Sequence, residues 1–171
     1  MPRRAILLRG VNVGGRATLS MAALRDALSA AGLTEVETVL QSGNVLASVE
    51  ADDDALAATV EAVILARFGL SIRALVRSGA DLDRALAAAP FPEAHPATVH
   101  LTFLAGPSDR PVADAPPDAV RVIGREAHVW CPDGYGRTKL NTTWLERCLG
   151  VAATTRNLAT VRKLADRLRA L

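Results

Sequence analysis

The residues best suited to chemistry fall in four short segments. The first is Arg9-Gly10-Val11-Asn12-Val13-Gly14-Gly15-Arg16. Glycines let successive backbone N–H groups turn to one side and form a concave seat for an anion, and a helix start nearby adds its dipole. Gly10 and Gly15 stand at the GxxxxG spacing of a nucleotide P-loop, but Arg16 and Ala17 take the places of the required Lys and Ser/Thr. Without that hydroxyl a Mg²⁺ ligand is missing, so the segment reads as a looser phosphate-binding loop. The second segment is Gln41-Ser42-Gly43-Asn44, whose ordinary role is a hairpin turn with glycine at positive φ. The third, Gly134 to Asn141, puts Tyr135, Arg137, Lys139 and Asn141 on a glycine-bearing loop, a set suited to stacking and phosphate contact. The fourth is Thr154-Thr155-Arg156-Asn157, read as a loop before the last helix. Capping accounts for its Thr and Asn and leaves Arg156 over.

Composition singles out the same places. Eighteen of the twenty basic residues are Arg, so the chain is strongly biased towards that type. Against that bias, all four Asn, the one Gln, the one Tyr and one of the two Lys fall in these segments. Turn and cap preferences explain Asn well but explain Tyr135 and Lys139 poorly. From Gly134 onward eight basic residues face two acids, a charge of +6 against −4 for the rest of the chain. Such a tail can face an anion, although a solvated helix face would look the same.

Several chemistries lack their residues. Cys131 and Cys148 form no CxxC, and neither pairs with a nearby His as a metal ligand would. They are expected to be partly buried thiols in a reducing cytosol, neither of them essential. His100 and His128 lie in strand-like runs and read as structural or surface residues, and His95 announces no partner. There is no HxxE, no GxSxG and no acidic metal cluster; Asp52-Asp53-Asp54 reads as a helix start. No metal or cofactor is therefore expected. Arg or Asp interrupts every apolar run before it could span a bilayer, and the apolar part of Met1–Arg9 is too short for a signal segment. The expectation is a cytoplasmic protein without a membrane partner, its oligomeric state left open.

The elements that must position these segments follow from periodicity. Arg4 to Leu8 reads as a buried strand, followed by a helix with Met21, Leu24, Leu28 and Ala31 at helical spacing, capped by Ser20 or Thr18 and ended by Gly32. Val36–Leu40 and Val45–Val49 make a hairpin, a second helix runs from Asp52 to about Phe68, and Leu70–Val76 is a fourth strand. That order, βαββαβ, is the ferredoxin-like unit, which implies an antiparallel or mixed sheet in the order 4-1-3-2. The expected domains are thus a ferredoxin-like unit over 1–77 and a smaller α/β portion over 78–171 that ends in two helices, an α+β protein overall. In that second portion a helix over Asp81–Ala89, a strand over Thr98–Leu104 and a hairpin of Val120–Ile123 with Ala127–Cys131 precede helices at Thr142–Leu149 and Leu158–Ala170. No sequence repeat links the two portions.

The blocks LLRGVNVGG, MAALRDAL, AAGLTEVETVLQSGNVL, GYGRTKLN and LGVAATTRNLATVRKL resemble, in order along the whole chain, the domain of unknown function 1697. The resemblance implies an α+β fold with ferredoxin-like portions, found in bacterial cytoplasmic proteins. It implies no catalytic residue. Two positions depart from the family pattern: Arg16 where Lys is common, and Ser20 where Pro is common.

Three functions compete. The glycine loops and the basic tail point to a module that binds a phosphate-bearing ligand, a nucleic acid or a nucleotide. Its candidate residues are Arg9, Asn12, Gly14, Gly15, Arg16, Gln41, Ser42, Asn44, Tyr135, Arg137, Lys139, Asn141, Arg156 and Asn157. The second is an interaction or structural module in which the polar loops only hold the two halves together. The third is an enzyme acting on a phosphate ester. The first reading expects the Arg9–Arg16 and Gly134–Asn141 loops to face one cleft.

Overall fold

The computed structural model describes residues 2–15 and 17–170. They group into two compact units, one holding the residues up to Asp81 together with those from Leu164, the other running from Leu82 to Lys163.

In the first unit β1 (Arg3–Leu8), β2 (Thr34–Val39), β3 (Asn44–Ser48) and β4 (Ala74–Ser78) form a sheet in the order β2-β3-β1-β4, every neighbour antiparallel. This is the expected 4-1-3-2 order, read from the other edge. Helices α1 (Met21–Ala30) and α2 (Asp53–Phe68) cover one face. The Ser20 hydroxyl caps α1 by accepting the Ala23 N–H, and the Asp52 carboxylate caps α2 by accepting that of Ala55. Leu24 and Leu28 of α1 are fully buried with Ile6, Leu8, Val60 and Ile64, because alternate strand residues meet one apolar helix stripe there.

The fourth strand starts at Ala74, not at Leu70 as its apolar run predicts. Its ladder can extend only as far as β1 does, and the last pair is Leu8 with Ala74. Leu70 and Ile72 still pack against the core, as apolar residues of a connection and not of a strand. The Ala74 N–H at the strand start donates to Glu61 of α2 at 2.9 Å.

The second unit repeats this topology. Here β5 (Val99–Leu104), β6 (Ala119–Ile123), β7 (Glu126–Trp130) and β8 (Ala153–Asn157) lie in the order β6-β7-β5-β8, again antiparallel throughout. Helix α4 (Thr142–Leu149) packs Leu145 and Leu149 on the sheet with Leu104, Val129 and Ala153. The segment between β5 and β6 holds no helix. Strand β8 corrects the reading of Thr154–Asn157 as a loop. These residues pair with Leu101 to Phe103 and His100 of β5, and the cap at Asn157 closes the strand at its very end. Helix α5 (Leu158–Arg169) is the second closing helix, so a strand separates it from α4. Each unit's last strand leads straight into a helix, β4 into α3 (Gly79–Ala88) and β8 into α5, and the grouping divides both helices, α3 after Asp81 and α5 after Lys163.

Candidate functional site

In the first unit the two polar segments are joined by one side chain. Asn12 sits at φ 56, a conformation Asn tolerates better than most residues. Its amide nitrogen donates to the carbonyls of Gln41 at 2.8 Å and Leu19 at 3.0 Å, and its amide oxygen accepts the Leu19 N–H at 2.8 Å. The hairpin turn opens at Leu40 (φ 62) and passes through Gly43 at φ 83. A Cβ on Gly43 would stand 3.0 Å from the Leu8 Cβ and 3.2 Å from that of Val11, so both the conformation and the close approach require glycine. Asn44 is buried at the first position of β3 and donates to the Val39 carbonyl and to the Ser42 hydroxyl. Asn12 therefore braces loop against turn, and Asn44 with Ser42 braces the turn itself. Gln41, Gly14 and Gly15 are exposed, and both glycines hold positive φ. The Arg9 N–H bonds the Arg73 carbonyl at 3.0 Å. Arg16 lies outside the described residues.

In the second unit the other two segments meet through hydroxyls. Gly134, at φ 100, opens a single 3₁₀ turn over Tyr135–Arg137. Thr138 ties the loop down by donating to Asp118 at 2.6 Å, and Leu140 is buried in the core. The Asn141 side chain then caps α4 by accepting the Trp144 N–H at 2.9 Å. The Tyr135 ring stacks on His100 of β5 with centroids 4.4 Å apart, and its hydroxyl lies 3.5 Å from that of Thr142. From Thr142 the chain continues to Thr155 at 2.6 Å and to Thr102 at 2.8 Å. Tyr135, Asn141, Thr142, Thr143, Trp144 and Arg147 line a groove of about 400 Å³. Arg137 and Lys139 stand on the same loop, exposed, and among the described residues they make no hydrogen bond or ion pair.

The fourth segment divides. Asn157 caps α5 by accepting the Thr160 N–H at 2.8 Å. Arg156 is buried, and its guanidinium donates to the Thr154 hydroxyl at 2.6 Å and to the Thr155 carbonyl at 2.9 Å. Burial brings its pKa down to about 10, so it stays charged at neutral pH.

His100, Thr102, Thr142 and Arg147 lie outside the candidate residues expected from sequence, and Thr155 of the fourth segment has only a capping role there. The signal for the first two is the alternation His100-Leu101-Thr102, which places the polar pair on one face of a strand. Burial pushes the His100 imidazole below the ordinary histidine value, so it is neutral at pH 7. Cys131 is buried and its thiol is pushed up by that burial; Cys148 is partly buried, and both are free. Among the described residues no three His, Cys, Asp or Glu side chains gather as metal ligands do, and no helix is long and apolar enough to cross a membrane.

The sequence profile of the family described as "Protein of unknown function (DUF1697)" matches residues 1–126. This chain belongs to that family. The DUF1697 match covers the first unit's residues up to Asp81 and the second unit's up to Glu126, and stops short of the groove-forming loop. In structure the chain is similar over 98% of its length to 98% of the conserved bacterial protein SP0830 from Streptococcus pneumoniae, with a TM-score of 0.72 and 20% identity. That likeness establishes the fold alone. Among curated proteins none matches.

Proposed function

We propose that this DUF1697 protein binds a phosphate-bearing ligand, a nucleotide or a nucleic-acid strand, in the groove beside α4. The observation that carries the reading is the set of cations there. Arg147 lines the groove, and Arg137 and Lys139 stand on the loop between two other lining residues, Tyr135 and Asn141. No acid engages these three among the described residues, so their charge is open to an anion. Trp144 offers a ring for a base, and the Thr142 and Thr143 hydroxyls offer donors for phosphate oxygens. The first-unit loops take the other role in this reading: Asn12 and Asn44 brace the fold. The same reading sets the protein in a bacterial cytoplasm, where two free thiols stay reduced.

The test is fluorescence anisotropy with a labelled single-stranded oligonucleotide, and calorimetry with a nucleoside triphosphate. Affinity should fall linearly on a log–log plot as salt rises. The variant Arg137→Ala, Lys139→Ala, Arg147→Ala should lose binding and keep its melting temperature, since exposed charges contribute little to stability. A parent that binds neither ligand, or a triple variant that binds as tightly, would overturn the reading.

One observation favours a second reading, an enzyme acting on a phosphate ester. A neutral His100 stacked on Tyr135, the first member of the hydroxyl chain, is a candidate general base. Release of phosphate by the parent that disappears in His100→Gln, with binding retained, would establish it.

A further inference from the structure

The second sheet has a second opening, on the face opposite the groove. Val99 and Leu101 of β5 and His128 of β7 line it, and they alternate with His100 and Thr102, which face the groove side. Leu101 and His128 are directly paired across the strands. The cavity measures about 160 Å³, and its other walls are α3, Leu158 and Arg162 of α5 and the proline-rich stretch 89–96. Its size matters, because an engineered apolar cavity of about 150 Å³ takes benzene.

Its walls are chosen and held. Phe91 stands between Pro90 and Pro92, and Pro96 follows in the same wall. Prolines fix that backbone in advance. The Phe91 ring packs on Trp130 with centroids 5.6 Å apart, and the Arg121 guanidinium carbon lies 5.6 Å from its centroid, so the ring has partners outside the cavity. A preformed apolar site with a few polar groups is the usual form of a small-molecule pocket.

Two polar side chains line it. His128 is 2% exposed, and its Nε2 is buried without a hydrogen-bond partner. A buried polar atom left unpaired is costly, and a ligand that pairs with it recovers that cost. Arg162 on α5 is exposed and makes no hydrogen bond or ion pair among the described residues. The site thus offers an apolar interior, one neutral hydrogen-bonding group and one cation at its edge.

We propose that this cavity binds a small apolar carboxylic acid of single-ring size. The ring lies against Phe91 and the prolines, the carboxylate reaches Arg162, and His128 supplies the interior hydrogen bond. The inference is independent of the phosphate groove, since the two share no lining residue.

The test is a titration of the ¹⁵N-labelled full chain with benzoate, and with benzyl alcohol as the neutral counterpart, followed by amide shifts. Benzoate should move the amides of Leu101, His128 and Phe91 with millimolar or tighter affinity. Arg162→Gln, a change at an exposed position, should weaken benzoate about three- to fivefold and leave benzyl alcohol unchanged. The Arg137→Ala, Lys139→Ala variant should bind benzoate like the parent. Silence at Leu101, His128 and Phe91 up to about 10 mM benzoate would overturn the site, since weaker binding than that is below specific recognition. Equal benzoate affinity in Arg162→Gln would overturn the carboxylate assignment.

Discussion

Arg77 and Arg156 occupy the same place in the two units. Each is the fourth residue of its unit's last strand, Ala74–Ser78 and Ala153–Asn157, and each strand begins with Ala. Arg77 pairs with Ala5 of β1, and Arg156 with Leu101 of β5, the third residue of the corresponding strand in both cases. Each side chain donates from one guanidinium nitrogen to the carbonyl of the residue before it, Val76 at 3.0 Å and Thr155 at 2.9 Å. The following residue caps a helix in both units: Ser78 exchanges hydrogen bonds with Asp81, and Asn157 accepts from Thr160. Two residues of one type in one register, with one hydrogen-bond habit, mark the units as structural repeats where the sequences show no repeat.

Arg156 should accordingly behave as a core residue. Arg156→Ala removes a buried charge and leaves the Thr154 hydroxyl without this donor. The expected loss is about 2–4 kcal/mol, read as a lower urea midpoint at unchanged slope. A shift below about 0.5 kcal/mol, the range of surface substitutions, would return Arg156 to the surface.

Leu28 lies fully buried on α1 among strand and α2 side chains. Leu28→Ala should cost about 2–5 kcal/mol through lost burial and the cavity left behind. The same denaturation experiment reads it, and an unmoved midpoint would mean the helix presents another face.

The brace at Asn12 predicts a local effect. Asn12→Ala deletes three hydrogen bonds, one that joins the first loop to the hairpin turn at Gln41 and two that tie the loop to Leu19. The stability loss should be about 1–3 kcal/mol, since the partners are backbone groups that solvent can partly recover. Hydrogen exchange at the Leu19 amide should speed up well beyond that of core amides such as Ile6. Unchanged exchange at Leu19 would show that the amide is held by something other than Asn12.

His128 sets a pH dependence. Burial lowers its pKa from 6.5 to about 4 in the folded chain. Between those values the unfolded chain binds the proton and the folded chain does not, so stability is fully present above pH 6.5 and falls as pH drops towards 4. The contribution amounts to about 3 kcal/mol at most across that window. His100, lowered for the same reason, acts in the same direction. The difference in unfolding free energy between pH 7 and pH 4 should be smaller in His128→Leu than in the parent. Equal differences would mean that His128 is accessible to solvent protons in the folded state.

The local signals were strong where a residue's role depends on near neighbours in the chain. Helical spacing of Met21, Leu24 and Leu28 places α1, because an amphipathic stripe is a property of one segment. Ser20, Asp52 and Asn141 cap helices within three residues of themselves, so their roles are legible in the sequence. The βαββαβ order implied the first sheet's strand order, since few topologies satisfy it.

Pairing across the sheet decided the rest. Thr154–Asn157 carries Thr and Asn that suit a cap as well as a strand, and only the ladder to β5 selects the strand. The same ladder turned Arg156 from a spare cation into a buried one. The rarity of Asn12 and Asn44 is visible in sequence, while their acceptors, Gln41 and Val39, are chosen by the folded loop. The hydroxyl chain through Tyr135, Thr142, Thr155 and Thr102 exists only once two strands, a loop and a helix start are packed together. Hydrogen bonds of a few ångströms between distant residues leave no periodic trace in sequence, so composition pointed to the loops and tertiary packing decided what each polar group does there.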